Sequence, residues 1–310
     1  MKEAPFDPGF TQQLTSKLRR SINPDGSFNV HRRGVRNVDV YKGLINTSWP
    51  KFICIVLASF LVTNLVFAGI YLAVGIEHLK GTEMESTPNP YASAFFFSVH
   101  TLTTVGYGSV YPDGIATNVV SSLEAMTGLL GFALATGLLY GRFSRPTARI
   151  LFTKSMVVAP YQDGAALMFR IANLRSNVLM EIEATMMLMT VEDTSASAKR
   201  SYTLLSLERH KIYFLPLTWT VVHPIDDASP LRGKTPADLA KMQAEVLILI
   251  KAFDDTFSQT VHARYSYPFD EIVWGAKFPQ AFEVDPAGDV VLHLDHLSDT
   301  VPAGVQTLRT

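Results

Sequence analysis

The sequence predicts an α+β membrane protein with two transmembrane helices, a short re-entrant helix between them and a β-sandwich. Two apolar runs, residues 52–76 and 115–141, are each long enough to cross a bilayer. A third apolar run, residues 91–102, is too short to do so. Beyond Pro146 the chain changes to many short strand-like runs separated by turn signals, a pattern typical of a β-sandwich.

Composition excludes several classes of function. The formal net charge of −1 over 310 residues gives no indication of nucleic-acid binding. The single cysteine, Cys54, lies in an apolar run, so one chain can form neither a disulfide framework nor a cysteine-based metal site. Residues 1–20 are polar and lack the apolar core of a signal peptide, so we expect membrane insertion to depend on the later spans.

The N-terminal region is predicted to be a flexible cytoplasmic tail, residues 1–35, followed by an amphipathic helix, residues 36–48. One face of this helix is apolar: Val38, Tyr41, Leu44 and Ile45. Trp49 and Pro50 follow, and tryptophan is common at the headgroup level of a membrane. Because a span comes directly afterwards, a helix on the membrane surface is favoured over a core helix of a soluble domain.

The first span, residues 52–76, carries no formal charge and would be about 37 Å long as a helix. Its polar exception, Asn64, is interpreted as a partner in an interhelical hydrogen bond rather than a transport ligand. Lysine and arginine number nine in residues 1–51, and only Lys80 occurs in residues 77–114. The positive-inside rule therefore places both termini in the cytoplasm, with the plasma (inner) membrane as the expected location.

The run between the spans is interpreted as a re-entrant pore helix, residues 90–102, capped by Asn89. The next six residues, TTVGYG at 103–108, are interpreted as an ion selectivity filter, whose backbone carbonyls replace the hydration shell of K+. Turning successive carbonyls to one side requires positive φ at alternate residues, which Gly106 and Gly108 permit. One copy supplies one wall of such a filter, so we expect a homotetramer.

The expected potassium ligands are backbone carbonyls of the filter, and the hydroxyl of Thr104 can add a further oxygen. The K+ ions are expected at Thr104, Val105, Gly106 and Tyr107, and the filter also includes Gly108.

Residues 146–300 are predicted to form the cytoplasmic sandwich, with a tail at 301–310. The pair Asp163-Gly164 is a hairpin signal, and a short helix is expected at 235–243 with Thr235 as its cap. Residues 192–199 are turn-rich. Further strand-like runs are Leu179–Val191, Ile212–Trp219, Val246–Phe253, Val261–Tyr267 and Val290–Leu294.

Several stretches resemble the inward-rectifier potassium channels, in the prokaryotic branch called KirBac. These are the filter TTVGYG, the step SWP at 48–50, LMFRIANLR at 167–175, TWTVVHPID at 218–226 with SPL at 229–231, and HARY at 262–265. The resemblance extends from about Arg36 to about Phe282. It implies that the sandwich is immunoglobulin-like, that residues 36–48 form a slide helix, and that the chain is a passive potassium channel rather than an enzyme.

The second span carries a candidate gate. Gly128, Phe132, Thr136 and Tyr140 recur every four residues and so lie near one helical face that can line a pore. Packing against lipid or other helices is the alternative, and the gate is favoured because the resemblance places the family's bundle-crossing constriction at Tyr140. Strongly rectifying relatives carry an acidic residue where this chain has Phe132, so strong polyamine-dependent rectification is not expected.

Two residues near the filter are candidates for tuning the pore. Glu124, the only charge within the second span, either adds negative potential or lies behind the filter in a hydrogen bond. His100 lies one turn before the filter, and its protonation would place positive charge beside a cation pathway, although structural support of the filter is the commoner role. As a hypothesis, acidification reduces the current through His100.

A group of cations follows the second span and is predicted to bind anionic lipids such as phosphoinositides, besides setting the topology. Its members are Arg142, Arg145, Arg149 and Lys154. No cofactor is expected other than K+ as the permeant ion, and barium and polyamines are candidate blockers. The class of voltage-gated channels is also assigned to the chain, although its sequence contains no arginine-rich sensor helix. The alternatives are a membrane-tethered ligand sensor of low conductance and a weakly selective cation channel.

Overall fold

A computed structural model describes residue 9 and residues 13–14, 20–31, 33–34, 39–82, 89–144, 148–194 and 197–303. The chain forms two compact units. One contains residues 33–145 and holds the long helices. The other contains residues 1–32 and 146–310 and holds the β-sheets. We describe each unit by itself.

Five α-helices lie in the described residues: α1 Val40–Asn46, α2 Trp49–Val74, α3 Pro90–Leu102, α4 Ile115–Phe143 and α5 Pro236–Lys241. The strands are β1 Gln13–Leu14, β2 Leu79–Lys80, β3 Tyr111–Pro112, β4 Ile150–Phe152, β5 Met156–Tyr161, β6 Gly164–Asn173, β7 Leu179–Thr194, β8 Ser197–Leu205, β9 Lys211–Phe214, β10 Thr218–Pro224, β11 Glu245–Asp254, β12 Gln259–Pro268, β13 Ile272–Trp274, β14 Ala276–Lys277, β15 Phe282–Val284, β16 Val290–Leu292 and β17 Val301–Pro302.

In the helical unit, α2 and α4 are long and apolar enough to cross a membrane, at 26 and 29 residues. α2 begins at Trp49 and ends at Val74, where Gly75 takes a φ of 119° and closes the helix. α4 continues to Phe143, beyond the expected end at residue 141. α1 is shorter than the predicted helix, and residues 35–38 lie outside the described residues.

The re-entrant helix α3 has 13 residues, which is about 20 Å and too short to span. The side chain of Asn89 accepts hydrogen bonds from the amides of Tyr91 and Ala92, so the expected N-cap is confirmed. Buried Ala94 and Phe97 on α3 pack with Tyr71 on α2, so one side of the helix lies against protein. Such packing supports a helix that is too short to span the bilayer.

The second unit is built from two large sheets. A six-stranded sheet has the order β1-β8-β7-β11-β12 with β9 beside β7, and a five-stranded sheet has the order β10-β6-β5-β13 with β4 beside β6. All pairs within them are antiparallel except β13 with β5. Buried Phe169 and Val221 from one sheet share a core with Ile182 and Ile248 from the other. The predicted sandwich is thus a β-rich domain of two packed sheets.

The turn and cap predictions in this unit are confirmed with one shift. Tyr161 pairs with Gly164, so the hairpin turn is Gln162-Asp163, and the positive φ of 50° falls on Gln162. The pair Asp163-Gly164 thus marks the hairpin correctly but lies one residue late. Thr235 caps α5 in a capping box with Asp238.

Two strand expectations differ from the structure. The predicted strand at 212–219 is two strands, β9 and β10, separated by a segment that contains Pro216 and cannot continue the hydrogen-bond ladder. The turn-rich stretch at 192–199 lies mostly in β7 and β8, which pair from Met186 with Leu205 to Thr194 with Ser197. Long pairing between neighbouring strands outweighs the local turn preference there.

The predicted flexible tail is wrong for residues 20–31. Ile22 is 3% exposed and packs in a cluster with Met189 and Leu247. The amide and hydroxyl of Ser21 both donate to Glu245, at 2.8 and 2.7 Å. Arg20 forms an ion pair at 2.8 Å with Glu271. The tail sequence has no periodicity, so these contacts with residues 167 to 251 positions away could not be read from it.

Candidate ion pathway

The backbone of the filter begins at the C-terminal end of α3. The amide of Thr104 donates to the carbonyl of Thr101 at 3.0 Å, and the amides of Val105 and Gly106 both donate to the carbonyl of His100, at 2.9 and 3.3 Å. Two carbonyls in the last turn of α3 therefore accept hydrogen bonds from amides of the filter. Without these amides, the carbonyls at the helix end would have no partner.

Positive φ values alternate along the filter, at 60° for Thr104, 54° for Gly106 and 78° for Gly108. The expectation for the two glycines is confirmed, and Thr104 joins the same pattern at a higher steric cost because it has a Cβ. Among the described residues, nothing donates a hydrogen bond to the carbonyls of Thr104, Val105, Gly106 or Tyr107. A row of unpaired carbonyls on a backbone of this kind can replace the water around a desolvated cation.

A hydrogen-bonded cluster lies behind the filter and joins three helices. Glu124 of α4 is fully buried and accepts from the hydroxyl of Tyr71 on α2 at 2.6 Å and from the hydroxyl of Ser98 on α3. Ser98 also lies 3.1 Å from the side-chain oxygen of Asn64 on α2. Of the two roles that the sequence left open for Glu124, the structure places it in hydrogen bonds, and Asn64 is an interhelical partner as expected.

The structure adds a contact of Gly128 that the spacing did not predict. A Cβ at this position would collide with the backbone carbonyl of Leu102, the last residue of α3. Gly128 therefore lies against the pore helix, and its place on a pore-lining face stays a prediction. The four-residue spacing indicated a shared helical face, but it could not show that Gly128 packs against α3.

The imidazole of His100 packs edge-to-face against the ring of Tyr107, with ring centroids 4.8 Å apart and an interplanar angle of 89°. Aromatic pairs prefer this arrangement. The contact joins the pore helix directly to a filter residue, which places His100 where it can support the filter.

The three remaining gate candidates lie on the exposed surface of α4 in the single chain. Phe132 and Tyr140 are 75% and 73% exposed, and Thr136 is exposed between them. Their spacing of four residues keeps them near one face. Their role as a gate stays a prediction.

The predicted lipid ligands occupy different settings. The guanidinium of Arg142 donates to the carbonyls of Leu44, Ile45 and Thr47, at 2.6 to 2.9 Å. Arg149 and Lys154 are exposed in the β-rich unit, and Arg145 lies outside the described residues. Lipid binding by all four stays a prediction, and the bonding of Arg142 was not foreseen from the sequence.

Sequence reasoning also missed Tyr71 and Ser98 as partners of Glu124. A tyrosine near the end of the first predicted span and a charged residue within the second were the available signal, because polar groups in a membrane need partners. The sequence alone does not say which polar groups meet.

Comparisons with known proteins agree with this geometry. Residues 150–308 match the family model described as the inward rectifier potassium channel C-terminal domain, and residues 59–145 match an ion channel model. The inward rectifier potassium channel Kirbac3.1 of Paramagnetospirillum magnetotacticum is 39% identical over 89% of this chain and 93% of its own length. The G protein-activated inward rectifier potassium channels 2 and 3 of Mus musculus are 26% and 27% identical, over 84% and 92% of this chain and 67% and 78% of theirs.

These matches correct one assignment. The class of voltage-gated channels is not supported, since the C-terminal match and the relatives named above are inward rectifiers. The spanning helices α2 and α4 contain one lysine, Lys51, and one arginine, Arg142. The chain is a membrane protein that acts as a potassium channel and not as an enzyme. It belongs to the inward rectifier potassium channel family.

Proposed function

We propose that four copies of this chain form a potassium-selective pore through which K+ moves passively down its electrochemical gradient. The proposal rests on one observation above all, the alternation of positive φ from Thr104 to Gly108 beside four carbonyls that accept no hydrogen bond from the described residues. One chain supplies one wall, and a closed ring of carbonyls requires symmetric copies around an axis. Val105 and Tyr107 are 51% and 73% exposed in the single chain, as a lining between copies requires.

Ion flux into proteoliposomes tests this function. We expect rubidium uptake that barium blocks and that runs well ahead of sodium uptake. Similar rubidium and sodium uptake would identify a weakly selective cation channel instead. Absence of uptake from a correctly assembled protein would favour a tethered sensor of low conductance.

The gate is proposed at the exposed face of α4. Four copies of Tyr140 converging on the axis can close a pore by steric exclusion and dewetting, with Phe132 and Thr136 lining the path above. Phe132 brings no negative charge, so polyamines are expected to block weakly. We expect Tyr140→Ala to raise basal rubidium uptake, and unchanged uptake would remove this residue as the constriction.

Anionic lipids are proposed as modulators through the exposed cations that follow α4. Arg149 and Lys154 are exposed, and Arg145 lies in the same stretch of sequence. Each basic residue near an anionic surface contributes about 1 kcal/mol to attraction. The charge counts around the spans support an inner-membrane protein with both termini in the cytoplasm.

A further inference from the structure

The last turn of α4 is bonded to the end of α1 through a single side chain. Arg142 donates from Nη1 to the carbonyls of Leu44 and Ile45, at 2.6 and 2.9 Å, and from Nη2 to the carbonyl of Thr47 at 2.7 Å. These carbonyls belong to the last turn of α1 and the residue after it, where a helix has no further amides to pair with its oxygens. A guanidinium is suited to this task because its planar fork offers several donors in fixed directions.

Aromatic rings enclose the same guanidinium. The carbon at its centre lies 4.6 Å from the ring centroid of Trp49 and 4.5 Å from that of Phe52. Phe143, the next residue of α4, packs against Trp49 with centroids 5.0 Å apart. Cation–π contacts of this kind strengthen when water is excluded, and Phe52 is only 2% exposed. Arg142 is thus enclosed by protein groups on several sides.

The preceding residue brings the two helices close together. A Cβ at Gly141 would lie 3.2 Å from the hydroxyl of Tyr41 and 3.3 Å from the terminal methyl of Ile45, so a larger residue would press against α1. Ile45 is buried at 6% exposure. Tyr140, the proposed constriction, immediately precedes this contact. The end of α4 that carries the constriction is therefore fastened to α1 by hydrogen bonds, ring contacts and close packing.

We propose that Arg142 is a positioning residue for gating, a latch that fastens the Tyr140 end of α4 to the C-terminal end of α1, so that the two move together. This inference rests on the proposed gate at Tyr140. It assigns Arg142 a role that depends on the shape of the guanidinium, whereas a lipid ligand would depend mainly on its charge. The two roles can therefore be separated by a substitution that keeps the charge and removes the fork.

The test compares Arg142→Lys with Arg142→Gln in the full-length protein in liposomes. Lysine keeps the positive charge but cannot donate to three carbonyls in the arrangement of the fork. We expect both variants to change basal rubidium uptake in the same direction by about tenfold, since hydrogen bonds from a charged donor are lost in each copy. The phosphoinositide concentration for half-maximal effect should stay as in the unsubstituted protein. Exposed Arg33 supplies the matched control, as Arg33→Lys and Arg33→Gln.

Hydrogen exchange of the α1 amides measures the contact between Arg142 and α1 independently of ion flux. We expect residues 39–48 to exchange faster in both Arg142 variants and not in the Arg33 variants, because α1 loses the donors at its C-terminal end. Wild-type exchange and uptake in Arg142→Lys would overturn the latch in favour of a charge role. Faster exchange with unchanged uptake in the Arg142 variants would overturn the action of Arg142 on gating. Failure of the proposed gate itself would show as unchanged uptake in Tyr140→Ala.

Discussion

The conformation of single residues in the filter decides whether its carbonyls can face one way. Thr104, Gly106 and Gly108 all have positive φ, which an L-residue with a Cβ adopts at a cost of about 1–2 kcal/mol. Glycine avoids that cost at two of the three positions. The orientation of the filter carbonyls therefore depends more on residues that can adopt positive φ than on any side-chain contact.

Substituting Gly106 tests this dependence. A Cβ there would meet no atom within 4 Å, so Gly106→Ala introduces backbone strain without a clash inside the chain. Gly131→Ala is the matched control, because its Cβ also meets nothing within 4 Å and its φ is not positive. We expect rubidium uptake to fall at least about tenfold in Gly106→Ala, the strain being present in every copy, and to persist in Gly131→Ala. Equal uptake in the two variants would show that the positive φ is not required.

His100 allows a prediction on pH. Its ring contacts Tyr107 of the filter, so a proton on the imidazole would place positive charge next to the row of carbonyls. We expect acidification to reduce the potassium current and His100→Gln to flatten that dependence, measured as uptake over a range of external and internal pH. An identical pH–current curve in His100→Gln would remove the hypothesis and leave the residue its structural contact alone.

At the scale of elements, the packing of α3 against α4 holds the filter from behind. Glu124 and Gly128 lie one turn apart on α4 and contact Ser98 and Leu102, which also lie one turn apart on α3. One contact is a hydrogen bond and the other is a close backbone approach that only glycine allows. The two helices are thereby held together over the turn that leads into the filter.

Gly128→Ala should separate these helices, since its Cβ would collide with the Leu102 carbonyl. The matched control is Gly137→Ala on the same helix, where a Cβ meets no atom within 4 Å and alanine favours the helix by about 1 kcal/mol. We expect Gly128→Ala to lose discrimination between rubidium and sodium, or to fail to assemble, while Gly137→Ala keeps both properties. Normal selectivity in Gly128→Ala would mean that the filter does not depend on this packing.

A buried histidine ties β10 to neighbouring loops in the β-rich unit. His223 is fully buried, with Nδ1 2.6 Å from the carbonyl of Ser206 and Nε2 2.8 Å from the hydroxyl of Ser229. The carbonyl of Ser206 accepts a hydrogen bond from Nδ1–H, and Nε2 accepts one from the hydroxyl of Ser229, so the ring is held neutral. Burial lowers the pKa of His223 below 6.5, although the Ser206 carbonyl and the charge of Asp226 oppose this shift.

Because the folded state binds the proton more weakly than the unfolded state, stability is lost as the pH falls below 6.5 toward the lowered pKa. The loss is at most about 1.4 kcal/mol per pH unit for one proton. We expect the melting temperature of the β-rich unit in the full-length protein to fall on acidification, and to fall less steeply in His223→Gln. Exposed His210, as His210→Gln, is the control that should keep the original slope. The same slope in both variants would exclude His223 as the cause.

At the scale of the whole molecule, the chain is a membrane unit and a β-rich unit joined by short segments. Residues 32–38 lead into α1, and residues 145–147 follow α4. The N-terminal residues 20–31 pack on the β-rich unit before the chain reaches α1. Both ends of the helical unit are therefore continuous in sequence with the β-rich unit.

The proposed lipid dependence belongs to the scale of the whole molecule. Neutralising Arg145, Arg149 and Lys154 together should remove about 3 kcal/mol of attraction to an anionic surface. We expect the response of rubidium uptake to phosphoinositide to disappear in this triple variant. The control variant, which should keep the response, removes three exposed charges elsewhere: Arg209→Gln, Arg232→Gln and Lys241→Gln. A lipid response of ordinary size in the first triple variant would exclude these cations as the lipid site.

The sequence by itself determined the features that depend on local physics. The length and apolarity of α2 and α4, the shortness of α3, its Asn89 cap and the glycines of the filter each follow from constraints within a few consecutive residues. The family resemblance rests on such local stretches as well, which is why it was visible before the fold.

Only the tertiary structure decided which neighbours meet. Glu124 accepts a hydrogen bond from Tyr71, 53 positions away, Gly128 lies against the Leu102 carbonyl, and Arg142 donates to carbonyls 95 to 98 positions away. Ile22 packs against Met189 and Leu247 on strands β7 and β11, which lie far along the chain. Periodicity along one helix tells which residues share a face, but the partner of that face is set by packing between elements distant in sequence.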